Sequence, residues 1–418
     1  MAEARRTPNR SFVLFLLAAI YAVSFLDRQI TSILAAPIKA EFHLTDTQLG
    51  WLGGPTFAVL YAVFGVPAAW LADRFSRTWI ITGALTLWSG FTALGGLAAN
   101  VSQLFAARIG VGVGEAGGTA PSYSLIADYF PEAQRARAMA FYALGVPVGG
   151  SLGVLLGGVI GHALGWRFAF IAVGLTGAVL APLFRLLVRE PARQAGAQAK
   201  PSLAQTAAAI AAAGSFWGLA LAAAVASIAG YGAVFWMPSF LIRSHHLPLD
   251  QVGYVMTVVL LVGGLIGLPL SGWLSDRLGG RRKAAYAWTP AVFFLLATPL
   301  YALAITTPSL PVAILMFTLA QAAGLSWLGP LPAAVQQLAP PHMRATASAV
   351  FLFVVAIVGQ CVGPPILGAI SDHMHARLGE GSLRWAMLAL PGIYLLAAAI
   401  LALTAGRLAK DWRQTPNG

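Results

Sequence analysis

Twelve apolar stretches follow one another along this chain, each long enough to cross about 30 Å of hydrocarbon as a helix. They run over 12–35, 49–71, 80–98, 104–127, 138–163, 168–188, 216–242, 252–274, 284–305, 310–335, 345–370 and 383–403. Lipid offers no partner for backbone N–H and C=O groups, so stretches of this kind are stable only as helices that satisfy their own hydrogen bonds. The composition agrees, with 58% hydrophobic residues, 10% charged residues and a mean hydropathy of +0.76, outside the range of soluble domains. The chain is expected to be an all-α polytopic membrane protein. Its first apolar run is too long for a cleavable signal segment and reads as span 1.

An even number of spans places both termini on one side, and the basic residues identify that side. Connections on the side of the N-terminus, with Arg185 at the end of span 6 counted among them, hold 19 of the 26 Lys and Arg residues, the opposite connections, with Arg384 at the start of span 12, hold 5, and Arg28 and Arg108 lie deep inside spans. The positive-inside bias makes the richer side cytoplasmic. The expected location is the cell (inner) membrane, with both termini in the cytoplasm. The net charge of +12 is then a topology signal rather than a sign of nucleic-acid binding. Cys361 stands alone in an apolar run, which excludes an intramolecular disulfide, and it reads as a small core residue.

The two halves repeat each other. Trp70-Leu71-Ala72-Asp73-Arg74-Phe75-Ser76-Arg77 follows span 2, and Trp273-Leu274-Ser275-Asp276-Arg277-Leu278-Gly279-Gly280-Arg281 follows span 8. Pro131-Glu132-Ala133-Gln134-Arg135 after span 4 is answered by Pro340-Pro341-His342-Met343-Arg344 after span 10. Trp166-Arg167 before span 6 is answered by Arg384-Trp385 before span 12. Three echoes in register indicate duplicated six-helix units. The expected division is a bundle over 1–190, a cytoplasmic linker over 191–215 with a surface helix around 202–213, and a second bundle over 216–418.

Four ionisable residues lie deep inside spans, away from their ends, all in the first half: Asp27, Arg28, Arg108 and Glu115. A charge near the bilayer centre costs at least roughly 2.5 to 3.5 kcal/mol, so such residues are retained for a pathway, a relay or a counter-ion. Arg108 and Glu115 are seven residues apart, so they share one face of span 4 about 10 Å apart along its axis. Counted at ~1.5 Å per residue from the span ends, Asp27 and Arg108 fall at one depth, and Glu115 lies about two turns deeper. Asp27 is thus the expected partner of Arg108. Desolvation and a neighbouring cation pull a carboxylate's proton affinity in opposite directions. Asp27 and Glu115 are therefore candidate proton carriers, with Arg108 the fixed charge competing for Asp27. Arg28 and Arg108 are also candidates for holding an anionic group by paired hydrogen bonds. Gly110, Gly114 and Gly118, four apart, are expected to let span 4 pack closely.

These residues carry a resemblance to a known family. The Asp-Arg loops after spans 2 and 8 resemble the signature loop of the major facilitator superfamily, and the segment from Arg108 to Ala116 looks like its span-4 motif. Within that superfamily the chain is most similar to bacterial Spinster-type transporters. The matching stretches are Phe25-Leu26-Asp27-Arg28, Ala72-Asp73-Arg74-Phe75-Ser76-Arg77, Gly114-Glu115-Ala116, Ala120-Pro121-Ser122 and Ile126-Ala127-Asp128-Tyr129-Phe130. Two positions depart from the pattern: Ala69 replaces the usual loop glycine, and Gly117-Gly118 replaces a bulkier pair beside Glu115. The run from Gly149 to Gly158 resembles the antiporter motif without its usual proline.

The resemblance implies a twelve-helix major facilitator fold of two six-helix bundles, with a central site at their interface. It also implies alternating access rather than enzymatic activity, and an amphipathic lipid substrate such as a lysophospholipid or a sphingosine-phosphate-like molecule. Asp73, Arg74, Arg77, Asp128, Asp276, Arg277 and Arg281 would gate the cytoplasmic side. The second half offers no buried charge, and its candidate ligand contacts are Tyr231, Trp236, Gln321, Trp327 and Gln360. An uncharged, aromatic wall facing a charged one suits an amphiphile. The expected partners are therefore membrane lipids, protons and an amphipathic or anionic small molecule, handled by a monomer without cofactor, metal or catalytic residues. A proton-coupled carrier of sugar acids, of the anion:cation symporter type, is the alternative, because that family shares the span-1 and span-4 charges. A scramblase or membrane enzyme would leave the paired loops unexplained.

Overall fold

The computed structural model describes residues 9–191, 214–280, 282–339 and 344–414, and every element among them is helical. Eight helical stretches among the described residues are long and apolar enough to cross a membrane. One of them, Thr346–Trp412, contains both expected spans 11 and 12. Spans 3, 4 and 10 complete the set as the helix Arg77–Gly96 and two helices broken in the middle.

The breaks are where the structure departs from the uninterrupted spans expected. Span 2 is Asp46–Gly53 followed by Pro55–Arg74, because proline has no N–H to continue a helix and Gly54 turns the chain ahead of it. Span 4 is Val101–Glu115 followed by Thr119–Tyr129, separated by Ala116, Gly117 and Gly118. Gly117 and Gly118 there donate to carbonyls only three residues back, the tighter pattern that ends an α-helix. Span 10 breaks at the corresponding place, between Leu310–Gly324 and Pro330–Leu338.

The chain forms two compact units. The first contains Met1–Leu44, Pro55–Gly196 and Pro248–Thr257; the second contains Thr45–Gly54, Ala197–Leu247 and Val258–Gly418. Two short segments thus group with the opposite half of the sequence. Thr45–Gly54 is held in the second unit by Arg243, whose Nη1 and Nη2 donate to Asp46 at 2.8 and 2.7 Å, and by Ser371, which donates to the same carboxylate at 2.6 Å. Asp372 accepts from the Asp46 and Thr47 amides at 2.9 and 2.7 Å, capping the Asp46–Gly53 helix. Pro248–Thr257 is held in the first unit by Thr257, whose hydroxyl donates to the Ser151 carbonyl at 3.3 Å, and by close approach of Gly253 to Gly158. Residues 192–213, with most of the expected linker and all of its expected helix, lie outside the described residues.

Glycine decides which helices touch closely. In the helix Gly145–Leu164 of span 5, a Cβ at Gly149 would lie 2.1 Å from the Ala22 carbonyl oxygen, and one at Gly153 2.6 Å from that of Leu26. This ladder seats span 5 against the backbone of span 1, so the run that resembles an antiporter motif serves packing here. In span 4, Gly112 and Gly114 meet the backbone of Phe57 and Trp88 in the same way.

The third sequence echo proves to be a shared structural device. Arg167 donates to the Ala98 carbonyl at 2.8 Å beyond span 3, and Arg384 donates to the Ile305 carbonyl at 2.9 Å at the end of span 9. Each arginine satisfies a carbonyl left without an intrahelical partner.

Substitution should separate packing glycines from idle ones. Gly149→Ala is expected to cost about 1–3 kcal/mol through forced overpacking. Gly90→Ala, where nothing lies within 4 Å, should be neutral or stabilising by up to about 1 kcal/mol. Thermal unfolding of the two purified variants checks the contrast, and equal melting temperatures would contradict it.

Candidate functional site

The buried charges of the first unit are brought together by spans 1, 3 and 4. Asp27, Arg108 and Glu115 are each no more than 2% exposed. Asp27 Oδ1 lies 3.5 Å from Arg108 Nη1, and its Oδ2 accepts from the Thr92 hydroxyl at 2.5 Å. Arg28 sends both Nε and Nη2 to Glu115 Oε2, each at 2.8 Å. Asp27 and Arg28 are consecutive on span 1 and so point in directions about 100° apart. Span 1 thereby grips span 4 at two depths, through Arg108 above and Glu115 below.

Aromatic rings enclose the arginines. The Arg28 guanidinium lies 4.8 Å from each of the Phe25, Phe57 and Tyr61 ring centroids, and that of Arg108 lies 5.4 Å from Phe57. Such stacking stabilises a cation withdrawn from water. Hydrogen bonding in the cluster is nevertheless incomplete: Asp27 Oδ1, Glu115 Oε1, and Nε and Nη1 of Arg108 are buried without hydrogen-bond partners. Most buried polar atoms in proteins are paired, so four unpaired ones within a single charge cluster are unusual.

Arg28 is the accessible member, with 17% of its side chain exposed. It lines a cavity within the first unit together with Tyr21, Trp88, Glu115, Gly118 and Tyr142. Tyr21 and Tyr142 stack at 4.3 Å across one wall.

The structure separates the residues singled out in the sequence. The expected Asp27–Arg108 pair forms, and Glu115 takes Arg28 as its closest partner. Thr92 was not foreseen, because its hydroxyl also makes the ordinary bond to the carbonyl four residues back, at 3.0 Å from Trp88 O, which is how any threonine in a spanning helix is satisfied. In the second unit Trp236 has no accessible surface and donates to the Pro364 carbonyl at 2.8 Å. It is thus packed inside the unit. Gln321 is buried and lies 3.4 Å from the Tyr301 hydroxyl, Trp327 sits edge-on to Phe351, Gln360 is 9% exposed, and Tyr231 is the exposed member of the set. Gly118 also departs from expectation: Gly110 and Gly114 meet aromatic rings and backbone too closely for any side chain, whereas a Cβ at Gly118 would find contacts of 3.3 Å or more.

Of the expected gating residues, Arg77 forms a node inside the first unit. It binds Asp128 through Nη1, Glu190 through Nε at 2.6 Å, and the Ser124 hydroxyl at 2.9 Å. Arg74 stacks 3.8 Å over Trp70 and Arg277 5.4 Å over Trp273. Asp276 accepts from Tyr286 at 2.9 Å. Asp73 ends the helix Pro55–Arg74, and Arg281 lies outside the described residues.

A model of the Major Facilitator Superfamily matches residues 17–364 of the chain. An MFS-type efflux pump of Mycolicibacterium smegmatis is 34% identical over 95% of this chain and 92% of its own length. The crystal structure of a bacterial homologue of the human lysosomal transporter Spinster, inward-facing and unoccupied, superposes with a TM-score of 0.89. It is 32% identical and covers 96% of this chain and 98% of that one. A hexuronate transporter of Bacillus subtilis is 28% identical over 63% of this chain and 64% of its own length.

Glu190 gives the Arg77 node a pH dependence. Burial would raise its proton affinity, but hydrogen bonds from the Thr78 amide, Arg77 and Ser76 prevail and hold the carboxyl below the usual glutamate range. A depressed carboxylate contributes stability above its unfolded pKa, and that contribution is lost as pH falls through the folded value. Glu190→Gln should therefore lower stability at pH 7 by about 1.5–3 kcal/mol. The deficit relative to the unsubstituted protein should shrink below about pH 4. Paired melting curves at the two pH values test this, and a deficit that does not change with pH would refute it.

Proposed function

The chain belongs to the Major Facilitator Superfamily, as a Spinster-like membrane transporter and not an enzyme, and from that premise we propose that it is a proton-coupled carrier of an amphipathic lipid with an anionic head. It works by alternating access, as a monomer in the inner membrane with both termini cytoplasmic. Lysophospholipids and sphingosine-phosphate-like molecules have the required chemistry. One observation carries this reading: Arg28, paired to Glu115, is the accessible cation of a buried cluster whose charges sum to zero.

The coupling follows from charge balance. Two carboxylates and two guanidinium groups sum to zero. An anionic oxygen entering the cavity competes with Glu115 for Arg28, leaving one negative charge in excess. An uncompensated buried charge is costly, so the anion enters with a proton that neutralises the displaced Glu115. Glu115 Oε1, which lacks a hydrogen-bond partner, is a place for that proton. Asp27 Oδ1, facing Arg108 at 3.5 Å, is a second. Arg108 remains a fixed charge, since its partners lie inside the cluster and its side chain is 3% exposed. Tyr231, Gln321, Trp327 and Gln360 stay candidates for the substrate's apolar part. Asp73, Arg74, Asp128, Asp276, Arg277 and Arg281 stay candidates for gating alongside Arg77.

A carrier of small organic acids is the second reading, favoured by the hexuronate transporter among the relatives and using the same Arg28 and Glu115 chemistry without the lipid tail.

Reconstituted vesicles with an imposed proton gradient test the coupling. Arg28→Ala should weaken binding of a radiolabelled lysophospholipid by about 10- to 100-fold, the loss of charge-assisted hydrogen bonds worth ~1.5–3 kcal/mol. Glu115→Gln should leave binding measurable but abolish accumulation against a gradient. Full uphill transport by both Asp27→Asn and Glu115→Gln would sink the proton assignment. Competition by galacturonate but by no lysolipid would replace the lipid with the organic acid.

A further inference from the structure

We propose that Arg185, stacked on Trp79 at the lipid-facing edge of the first unit, binds the phosphate of an anionic phospholipid of the surrounding bilayer. The site stands apart from the buried charge cluster and does not depend on what that cluster carries.

The helix of span 3, Arg77–Gly96, packs along that of span 6, Trp166–Leu187. Leu175, Val179, Leu183 and Leu186 stand exposed at intervals of three or four residues, so they form one apolar stripe on the outside of span 6. In a bilayer that stripe faces acyl chains. Arg185 stands at its edge, turned toward span 3, where its guanidinium lies 4.5 Å from the centroid of the Trp79 ring. That ring is itself 58% exposed. Arg185 is three residues short of the end of the apolar stretch 168–188, about 4.5 Å by helical rise. From that depth a long side chain reaches the headgroup level, which interfacial indoles also favour. The basic-residue count assigns this end to the cytoplasm, where anionic lipids attract basic residues.

The protein supplies no counter-charge for this cation. Among the described residues Arg185 has neither an acidic partner nor a hydrogen-bond acceptor, and its Nε is enclosed without one. The sequence that follows, 192–213, adds Arg193 and Lys200 and contains no Asp or Glu. Neighbouring arginines differ: Arg77 is matched by Asp128 and Glu190, and Arg167, at the other end of span 6, by Glu41. In the second unit a cation also sits on an indole at the corresponding end of spans 9 and 12, with Lys283 Nζ 5.5 Å from the Trp412 ring. There carboxylates accompany the pair. Asp411 precedes Trp412 in the chain, and Tyr286, stacked on Trp412 at 5.4 Å, donates to Asp276. At Arg185 the balancing anion has to come from outside the chain. The planar fork of a guanidinium fits phosphate oxygens, and stacking on Trp79 holds its plane. A lipid held there by its phosphate would lay an acyl chain along the span-6 stripe. A zwitterionic headgroup would bring a second cation to a place that already has one in excess, so the site selects net negative charge.

The test is native mass spectrometry of the purified protein, titrated separately with dioleoylphosphatidylglycerol and dioleoylphosphatidylcholine, which share acyl chains and differ in net charge. The quantity read is the ratio of the two affinities for the first lipid bound. The unsubstituted protein should favour phosphatidylglycerol. Arg185→Gln should lower the ratio about fivefold, equivalent to the ~1 kcal/mol that one cation contributes near an anionic surface. Trp79→Leu keeps the charge and an apolar surface but removes the stacking, and should lower it by a smaller factor. Arg137→Gln removes an exposed cation of the helix Glu132–Ala143 in the same unit and should leave the ratio unchanged. Equal falls for Arg185→Gln and Arg137→Gln would reveal only a general pull of positive charge on anionic lipid, and would overturn the site. An unchanged ratio in Arg185→Gln overturns it too, as does an unsubstituted protein without preference. Arg185 is partly exposed, so Arg185→Gln should melt with the unsubstituted protein in phosphatidylcholine nanodiscs, and loss of fold does not imitate the expected result.

Discussion

The structure of the first unit depends on a requirement set by the membrane: two carboxylates and two guanidinium groups, withdrawn from water, have to neutralise one another. Each charge alone would be expensive in hydrocarbon, and one pair held loosely would leave the helices free to slide. Two crossed pairs, Asp27 with Arg108 and Arg28 with Glu115, fix both the depth and the rotation of span 1 against span 4. Close approach makes this possible. The span-5 glycines seat span 1, and the span-4 glycines seat that helix against Phe57, Trp88 and Phe91. Small residues and buried charges are thus parts of one arrangement, since the side chains meet only because the backbones come close.

Most of the fold was legible in the sequence because a bilayer leaves few options. Apolar length gave the spans, and the motif echoes gave the duplication. Depth counting paired Asp27 with Arg108 because both lie at fixed distances from span ends. It did not assign Arg28 to Glu115, since counting along a helix measures height and says little about how far a long flexible side chain reaches. Thr92 carried no signal beyond that of any helical threonine. The grip of Arg243, Ser371 and Asp372 on the Asp46–Gly53 helix was also missed. Its trace was the Thr45-Asp46-Thr47-Gln48 capping pattern, a helix start that the hydropathy count passed over. Trp236, marked as a ligand contact by its aromatic character, has its indole hydrogen-bonded to a backbone carbonyl inside the unit, a partner that composition does not reveal.

The duplicated architecture shows what each half has been specialised for. Spans 4 and 10 break at corresponding places, and Arg167 and Arg384 cap corresponding helix ends. The scaffold is therefore shared while its contents differ. At the break of span 10, a Cβ on Gly324 would lie 2.4 Å from the Tyr394 hydroxyl, whose ring stacks on Tyr301 beside Gln321. The glycine there makes room for a neighbouring side chain, and the space is filled from within the protein. At the break of span 4, Glu115 ends the first segment and is paired with Arg28, and Gly118 lies against the Trp88 ring. The same interruption of a helix is packed core in one repeat and lies beside a buried ion pair in the other. An interrupted helix is a stable feature that can be kept for packing alone, as span 10 demonstrates. The charge in span 4 is an addition to it, and through Arg28 that charge ties the interrupted helix to span 1.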